Sequence, residues 1–438
     1  MQRKKVVLLV SVFTIITILV LSTVVFLYAN SRETIVNTDW KLESFSPIDA
    51  NGFFFIGNNG SLQSWMHTDA YGMPFTIMEN VYQFVDGRRF LVITEDGVLW
   101  EVDDGNYVFE RFKIIDDVIK VSAPRRWIRT SGAITSDGSL WVWGIRYSLF
   151  YADSDEIERA FTINPKLFDY DYLGVILFLE DVRYVSMQNE LAIKNDDSLW
   201  TWSFNMYGQI GDGTTSYRII PVKVMDDVQA AVGRSHKLAI KNDGSLWAWG
   251  RNHRGQLGDG TTIDRHEPVK VMDNVRQVVV GRWHTMAVTE DNTLWAWGAN
   301  FGSLGDGTEE DRHSPVKIMD NVLYVVSTDD SDDFPASMAI RTDGSLWAWG
   351  RNGAGEVGDG TRVDRLRPVR IMDNVVYASV GSFANAAVQS DGSLWVWGGM
   401  YCMHLNIVTG SIDRVVRPER VAENVRLSTF TEISVQED

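Results

Sequence analysis

A turn followed by Leu-Trp-x-Trp-Gly, or a close variant, returns eight times along this 438-residue chain. The copies are "NNGSLQSW" (58–65), "EDGVLWEV" (95–102), "SDGSLWVWG" (136–144), "NDDSLWTWS" (195–203), "NDGSLWAWG" (242–250), "EDNTLWAWG" (290–298), "TDGSLWAWG" (342–350) and "SDGSLWVWG" (390–398). From the second copy on, the first Trp is Trp100, Trp141, Trp200, Trp247, Trp295, Trp347 and Trp395, with spacings of 41, 59, 47, 48, 52 and 48 residues. A period of roughly 40–50 residues is that of a four-stranded propeller blade.

The best-formed unit reads as four strands: 274–281, 284–288, 293–298 and 314–320. Val, Ile, Thr and Trp dominate them, and turn residues separate them. Asp-Gly between the second and third strands supplies the positive φ that a tight hairpin requires. The fourth strand opens at Pro221, Pro268, Pro315, Pro368 or Pro418. Proline cannot donate to a ladder, so this strand belongs at the edge. In "LWAWG" both strand faces are apolar, which places the third strand between neighbouring sheets with its Trp residues filling the wedge between blades. Fourteen of the 17 Trp lie in these hairpins, and a propeller accounts for that concentration because each indole buries about 150–250 Å². The expected fold is an all-β propeller of seven or eight four-stranded blades. "DWKLESFS" (39–46) and "NVRLSTF" (424–430) both read as strands, so the two chain ends are expected to close the ring. An open solenoid, the alternative, would need polar capping units.

Residues 1–5 form a basic stub, and residues 6–29, from Val6 to Ala29, carry no charge. As a helix that run spans about 36 Å, enough to cross a bilayer. It exceeds the apolar core of a cleaved signal peptide, and Leu27-Tyr28-Ala29 lacks a small residue at the outer cleavage position, so a single transmembrane signal anchor is expected. The bases at Arg3, Lys4 and Lys5 place the N-terminus in the cytoplasm and residues 30–438 outside the cell membrane. Formal net charge is −17, and more negative still beyond the basic stub. Such a surface repels phosphate backbones, so no nucleic-acid partner is expected. The single cysteine, Cys402, forms no intrachain disulfide and reads as a packed thiol.

Four units continue after the hairpin as "GQIGDGT" (208–214), "GQLGDGT" (255–261), "GSLGDGT" (302–308) and "GEVGDGT" (355–361). Together with WG-x-N, the following P-V, the Val-rich strand and "GRWH", this text resembles the repeat of the regulator of chromosome condensation family, over about residues 40–430. The resemblance implies a seven-bladed propeller closed by strands from both termini. "GRWHT" (281–285) is also similar to a stretch of the plant ultraviolet photoreceptor of that superfamily. The founding member exchanges nucleotide on a nuclear GTPase and docks on chromatin. An anionic domain outside a cell meets neither, so no small GTPase is expected. A secreted bacterial relative, the second type of beta-lactamase inhibitory protein, grips an enzyme with one propeller face. The first two units and "GGMYCMHLNIVTGS" (398–411) lack the glycine-rich text, so no family interface transfers there.

The glycine-rich loops lack the Lys-Ser/Thr ending of a phosphate loop and open no helix, so they read as structural turns. His236 and His284 occupy equivalent repeat positions, which points to a shared hydrogen-bonding role; no metal site is expected, because no zinc-type spacing is present. Asp329, Asp330, Asp332 and Asp333 in "STDDSDDFPAS" (327–337) lack the D-x-D-x-D-G pattern, so a solvated loop is read there with calcium as the alternative. The large insertion 145–174 gathers Tyr147, Phe150, Tyr151, Phe161, Phe168, Tyr170 and Tyr172. Loops on a rigid rim are where binding residues concentrate, so these are the candidate binding residues, with packing onto their own blade as the alternative. No nucleophile motif is present and no cofactor is implied. The expected function is a membrane-anchored scaffold that binds a protein or an envelope polymer without catalysis. The alternatives are a glycan-acting propeller enzyme and an inhibitor of a secreted enzyme.

Overall fold

A computed structural model describes residues 175–327, 336–380 and 385–398 continuously. Around these it describes 40–42, 54–56, 61–68, 74–85, 90–103, 110–122, 130–143, 154–163, 403–406, 411–422 and 425–427. At the hairpin tips Gly97, Gly138, Gly244, Gly344 and Gly392 take φ between 76° and 82°, and Asp197 and Asn292 take 61° and 64° in their places. Asp and Asn tolerate this left-handed region better than other side chains, which explains why the turn survives without glycine in those two copies.

The described strands assemble into seven four-stranded antiparallel sheets, one five-stranded sheet and one two-stranded hairpin, Met403–Asn406 with Ser411–Arg414. The four-stranded sheets are blades that follow one another in chain order over residues 81–115, 118–179, 182–225, 228–272, 275–319, 322–372 and 375–422. The five-stranded sheet joins Trp40–Leu42, Phe54–Ile56, Leu62–Thr68 and Pro74–Met78 to Val425–Leu427 from the other end of the chain. Trp40, Lys41 and Leu42 pair in parallel with Val425, Arg426 and Leu427, as the two terminal texts implied. One helix, Ser154–Ile163, interrupts the all-β pattern among the described residues. Among them no helix is long and apolar enough to cross a membrane, and residues 6–29 lie outside the described set.

In the blade of residues 228–272 the strands are Val228–Gly233, His236–Lys241, Leu246–Gly250 and Arg265–Met272, paired in that order. The first strands of successive blades lie side by side. Between two of them the Gln277 side-chain amide donates to Val325 O at 3.1 Å and accepts from Val325 N at 3.1 Å, imitating a ladder step. The fourth strand is the edge, as its proline requires. The proline, however, stands inside the strand and not at its start: Arg265 opens the strand three residues before Pro268. A register shift between Ala248 and Gly250 bulges the edge there, so the missing N–H interrupts no regular pairing.

The two tryptophans of each hairpin are not equivalent, which corrects the expectation that both fill the wedge. Trp249, Trp297, Trp349 and Trp397 are fully buried. The preceding Trp200, Trp247, Trp295, Trp347 and Trp395 are only half-buried. Trp247 donates its indole N–H to Ser245 Oγ at 3.0 Å, and the Lys241 ammonium lies 6.0 Å from its ring. The buried indole instead reaches across to the preceding blade: Trp249 Nε1 donates to Gln209 O at 3.0 Å, Trp297 to Gln256 O at 3.0 Å, Trp349 to Ser303 O at 2.8 Å and Trp397 to Glu356 O at 2.9 Å. Apolar side chains of both blades pack around each crossing; Leu238, Leu246 and Leu257 meet Val275, Val278 and Trp297 in one such cluster.

The glycine-rich loop is the seat for that indole. A Cβ on Gly258, where φ is +79°, would lie 2.6 Å from Trp297 Nε1. Gly353, by contrast, has open space around a built Cβ and no left-handed φ. Gly258→Ala is therefore expected to destabilise the protein by about 2–4 kcal/mol through left-handed strain and overpacking. Gly353→Ala should be neutral or stabilise by up to about 1 kcal/mol through the unfolded chain. Urea unfolding of the two variants checks the contrast, and equal losses would refute the indole seat.

Candidate functional site

The loop after each Trp-Gly is held by one hydrogen-bond network that the repeat text encodes. Asn252 Oδ1 accepts Leu257 N at 3.0 Å while its amide donates to Asp259 Oδ1 at 3.0 Å and to Thr261 O at 3.2 Å. Asp259 accepts Thr261 N and Thr261 Oγ1 on Oδ1 and Arg265 Nε on Oδ2, at 3.0, 2.7 and 2.7 Å. Burial raises the Asp259 pKa, but these donors outweigh it and hold the carboxyl below its ordinary value. Asn205, Asn300 and Asn352 organise the other three loops with Asp212, Asp306 and Asp359 in the same way. The loops are turns, as their repetition implied, and they form a stiff frame on one face of the ring.

Side chains between the frame Asn and Gly differ from loop to loop, and several of them gather with Arg251 and Trp283 into one cluster. The Arg251 guanidinium carbon lies 4.4 Å from the centroid of the Tyr207 ring and 4.4 Å from that of Trp283. These three residues come from three successive blades, so the contact exists only in the assembled ring. Arg251 Nε donates to His253 Nδ1 at 3.0 Å, and the His253 ring meets Trp283 edge-on at 4.9 Å. Burial first, then the charges of Arg251 and Arg254, push the His253 pKa down, which suits a neutral ring accepting on Nδ1. Arg282 stands 5.1 Å from the Trp283 ring. Arg254 binds Asp311 at 3.0 Å and faces the Phe301 ring at 5.7 Å.

Beside Phe301 opens a cavity of about 440 Å³ lined by Asn300, Phe301, Glu309, Arg351, Gly353 and Asp364. The same loops expose Phe204, Met206, Ile263, Phe301 and Val363 to solvent. Aromatic rings, arginine and exposed apolar side chains together have the composition of an interface.

Of the aromatic residues singled out in the insertion, Tyr147, Phe150, Tyr151, Phe168, Tyr170 and Tyr172 lie outside the described residues. Phe161 falls within the helix Ser154–Ile163. The helix is fastened by Glu156, which accepts Ile219 N at 2.9 Å and lies 3.5 Å from Arg218 Nη1, while Ile157 packs against the adjoining core. The four aspartates of 327–337 and Cys402 also lie outside the described residues. Among the described residues no group of three His, Cys, Asp or Glu side chains is gathered to hold a metal ion.

The equivalent histidines share a role, as their positions implied. His236 Nε2 pairs with Thr285 Oγ1 of the next blade at 3.2 Å, and His284 Nε2 with Ser327 Oγ of the following one at 2.9 Å. They are structural cross-links inside the ring.

With this geometry the class of protein is defined: a β-propeller whose blades are tied by tryptophan to glycine-rich loops. The family model for RCC1-like domains matches residues 130–436, and the chain belongs to that family. The resemblance read from the repeat text is thereby confirmed, from residue 130 onward. No curated protein sequence matches the chain. Among solved structures, human WBSCR16 is similar at 18% identity, covering 70% of this chain and 87% of that one, with a TM-score of 0.49. Yeast RCC1 (Prp20) bound to Kap60 is similar at 18% identity over 80% and 78% of the two chains, with a TM-score of 0.47. Prp20p from Saccharomyces cerevisiae, described with its binding properties to Gsp1p and histones, gives 18% identity over 78% and 77% and a TM-score of 0.47.

Burial pushes the His236 pKa down to about 3, with the charges of His284 and His253 adding to it, and burial alone pushes His284 down to about 4. An unfolded histidine titrates near 6.5, so between that value and about 4 the unfolded chain binds protons that the folded ring refuses. Stability is therefore full above about pH 6.5 and is lost as pH falls, by about 2 kcal/mol per imidazole at pH 5. Urea unfolding between pH 7 and 5 should show this slope, and His284→Asn should flatten part of it. A pH-independent midpoint over that window would contradict the burial of the two neutral rings.

Proposed function

We propose that the protein is a binding scaffold without catalysis of its own, and that it engages another protein through the loop face carrying Tyr207, Arg251, Trp283 and Phe301. The observation that carries this reading is the arginine–aromatic cluster built from three blades and set on frames that are otherwise repeated. Structural residues repeat because every blade junction needs them, whereas Tyr207, His253, Arg254 and Phe301 occupy the positions between Asn and Gly that differ from loop to loop. A rigid platform with individual contact residues suits recognition of a shaped partner. Membership of the RCC1-like family supports a propeller scaffold and leaves the partner to be read from the site.

The proposal extends to location and partners. An uncharged run at residues 6–29 preceded by Arg3, Lys4 and Lys5 supports a membrane anchor with the propeller on the far side. The net charge of −17 speaks against nucleic acid, including chromatin, and a place outside the cytoplasm speaks against a small GTPase.

Replacing Met206, Ile263 and Phe301 together with Ser is expected to abolish capture of a protein partner from membrane and secreted fractions of the source cells by the immobilised full chain. These side chains are exposed, so unfolding stability should stay within about 1 kcal/mol of the parent. Undiminished capture by the triple variant would remove this face from the reading. Hydrolysis of envelope glycan fractions with no retained partner would replace the scaffold with an enzyme.

A further inference from the structure

Resting on the reading that this loop face is the binding surface, we propose that Arg251 is the receptor for a carboxylate on an acidic, partly apolar segment of the partner protein. The two rings 4.4 Å away hold the guanidinium, and His253 occupies Nε. Among the described residues no acceptor meets its two Nη groups. The nearby acids are already engaged: Asp311 accepts Arg254 Nη1 at 3.0 Å and Asn300 N at 2.9 Å, and Asp264 accepts Asn252 N at 2.6 Å. The remaining donors lie in the guanidinium plane, with the fork spacing that a carboxylate accepts through both oxygens. Packing against aromatic rings fixes the fork before the partner arrives, so less rotamer freedom is lost on binding.

Charge complementarity selects the occupant. In a chain of net charge −17, Arg251 and Arg282 collect around one indole, and Arg254 faces the Phe301 ring of the next loop. A long polyphosphate would have to lie along the acidic remainder of the surface as well, whereas a short acidic segment touches the arginine patch alone. Exposed Met206, Ile263 and Phe301 on the same face offer contacts for apolar side chains of the same segment.

The test is fluorescence anisotropy with the full chain and a short dye-labelled peptide that alternates Glu with Phe and Leu. Its counterpart with Gln for Glu and an inorganic polyphosphate of matched charge serve as competing probes. The expected result is saturable binding of the acidic peptide, about tenfold or more weaker binding of the amide peptide, and a loss of about tenfold for Arg251→Gln with an unchanged urea midpoint. Arg251→Lys, which keeps the charge and loses the planar fork, should lose most of the affinity too. Should Arg251→Gln fail to fold, Tyr207→Leu leaves Arg251 in place and removes one wall, and a several-fold loss is expected. Equal binding of both peptides, binding of neither, indifference to Arg251→Gln or to Tyr207→Leu, or tighter binding of polyphosphate would each overturn the proposal. If the Met206, Ile263 and Phe301 variant loses its captured partner while the acidic peptide does not bind, the surface stands and the carboxylate receptor falls.

Discussion

The hydrogen bond from a buried indole to the carbonyl of the preceding blade is the interaction on which this ring depends. It joins two motifs that lie 40 to 46 residues apart in the chain, at Gln209 and Trp249, Gln256 and Trp297, Ser303 and Trp349, and Glu356 and Trp397. A buried indole N–H without an acceptor costs about 1–3 kcal/mol, so each tryptophan requires its loop. The loop in turn requires glycine, because the ring lies where a Cβ would be. Thr285 Oγ1 and the Asn385 amide add second donors to two of the same carbonyls, at Gln256 and Glu356. The glycine-rich text is thus a consequence of the next blade's tryptophan. Trp202 tests this logic within the molecule, since the preceding unit carries the long insertion in place of a glycine-rich loop. Trp202 remains buried, but it meets Phe178 edge-on at 5.3 Å.

That dependence also explains what was legible in the sequence. The hairpins, the strand order outward to the proline edge and the joining of Trp40–Leu42 to Val425–Leu427 follow from local rules about turns, apolar alternation and N–H donors, and those rules act within a few residues. The inequality of the two tryptophans does not, because it turns on which one faces the preceding blade. The helix Ser154–Ile163 left a signal that was available: Ser at its start with Asp155 and Glu156 in its first turn. Ten residues make a marginal helix alone, however, and it is fixed by tertiary contacts from Glu156 to Ile219 and Arg218 that no local pattern announces. The arginine cluster was hidden for the same reason. Tyr207, Arg251 and Trp283 span three repeats at non-equivalent positions, and only ring assembly brings them within 4.4 Å. The sole trace in the text is that the residues between Asn and Gly vary while everything around them repeats.

The acidic character of the chain has an equally structural origin. At the hairpin face, Asp243 accepts Ser245 N and Ser245 Oγ at 2.9 and 2.6 Å, and Asp343 does the same for Ser345 at 3.0 and 2.6 Å. These bonds hold both carboxyls below the ordinary value, so the charge belongs to the turn chemistry. The neighbouring edge pairs, Lys223 with Asp226, Lys270 with Asp273 and Lys317 with Asp320, repeat in three successive blades and are solvent-exposed, which makes them worth little. Part of the large negative net charge therefore comes from repeated turn carboxylates, while the lysine-paired edge aspartates add none.

On the opposite face the arginines divide into two populations with different work. Arg218, Arg265, Arg312 and Arg365 recur at the start of four edge strands and are consumed by Asp212, Asp259, Asp306 and Asp359, with Glu156 and Glu310 as further partners of Arg218 and Arg312. Arg251 stands one residue before an equally repetitive Asn252, yet it lies over two aromatic rings and gives its Nε to an imidazole, with no carboxylate partner among the described residues. Both kinds stand on the same stiff loop, and the first kind makes the stiffness from which the second benefits. A guanidinium held this way loses little freedom on meeting a partner. A ring whose junctions are all fixed by indoles can thus afford to vary the few side chains between them, and those positions are where recognition resides on this scaffold.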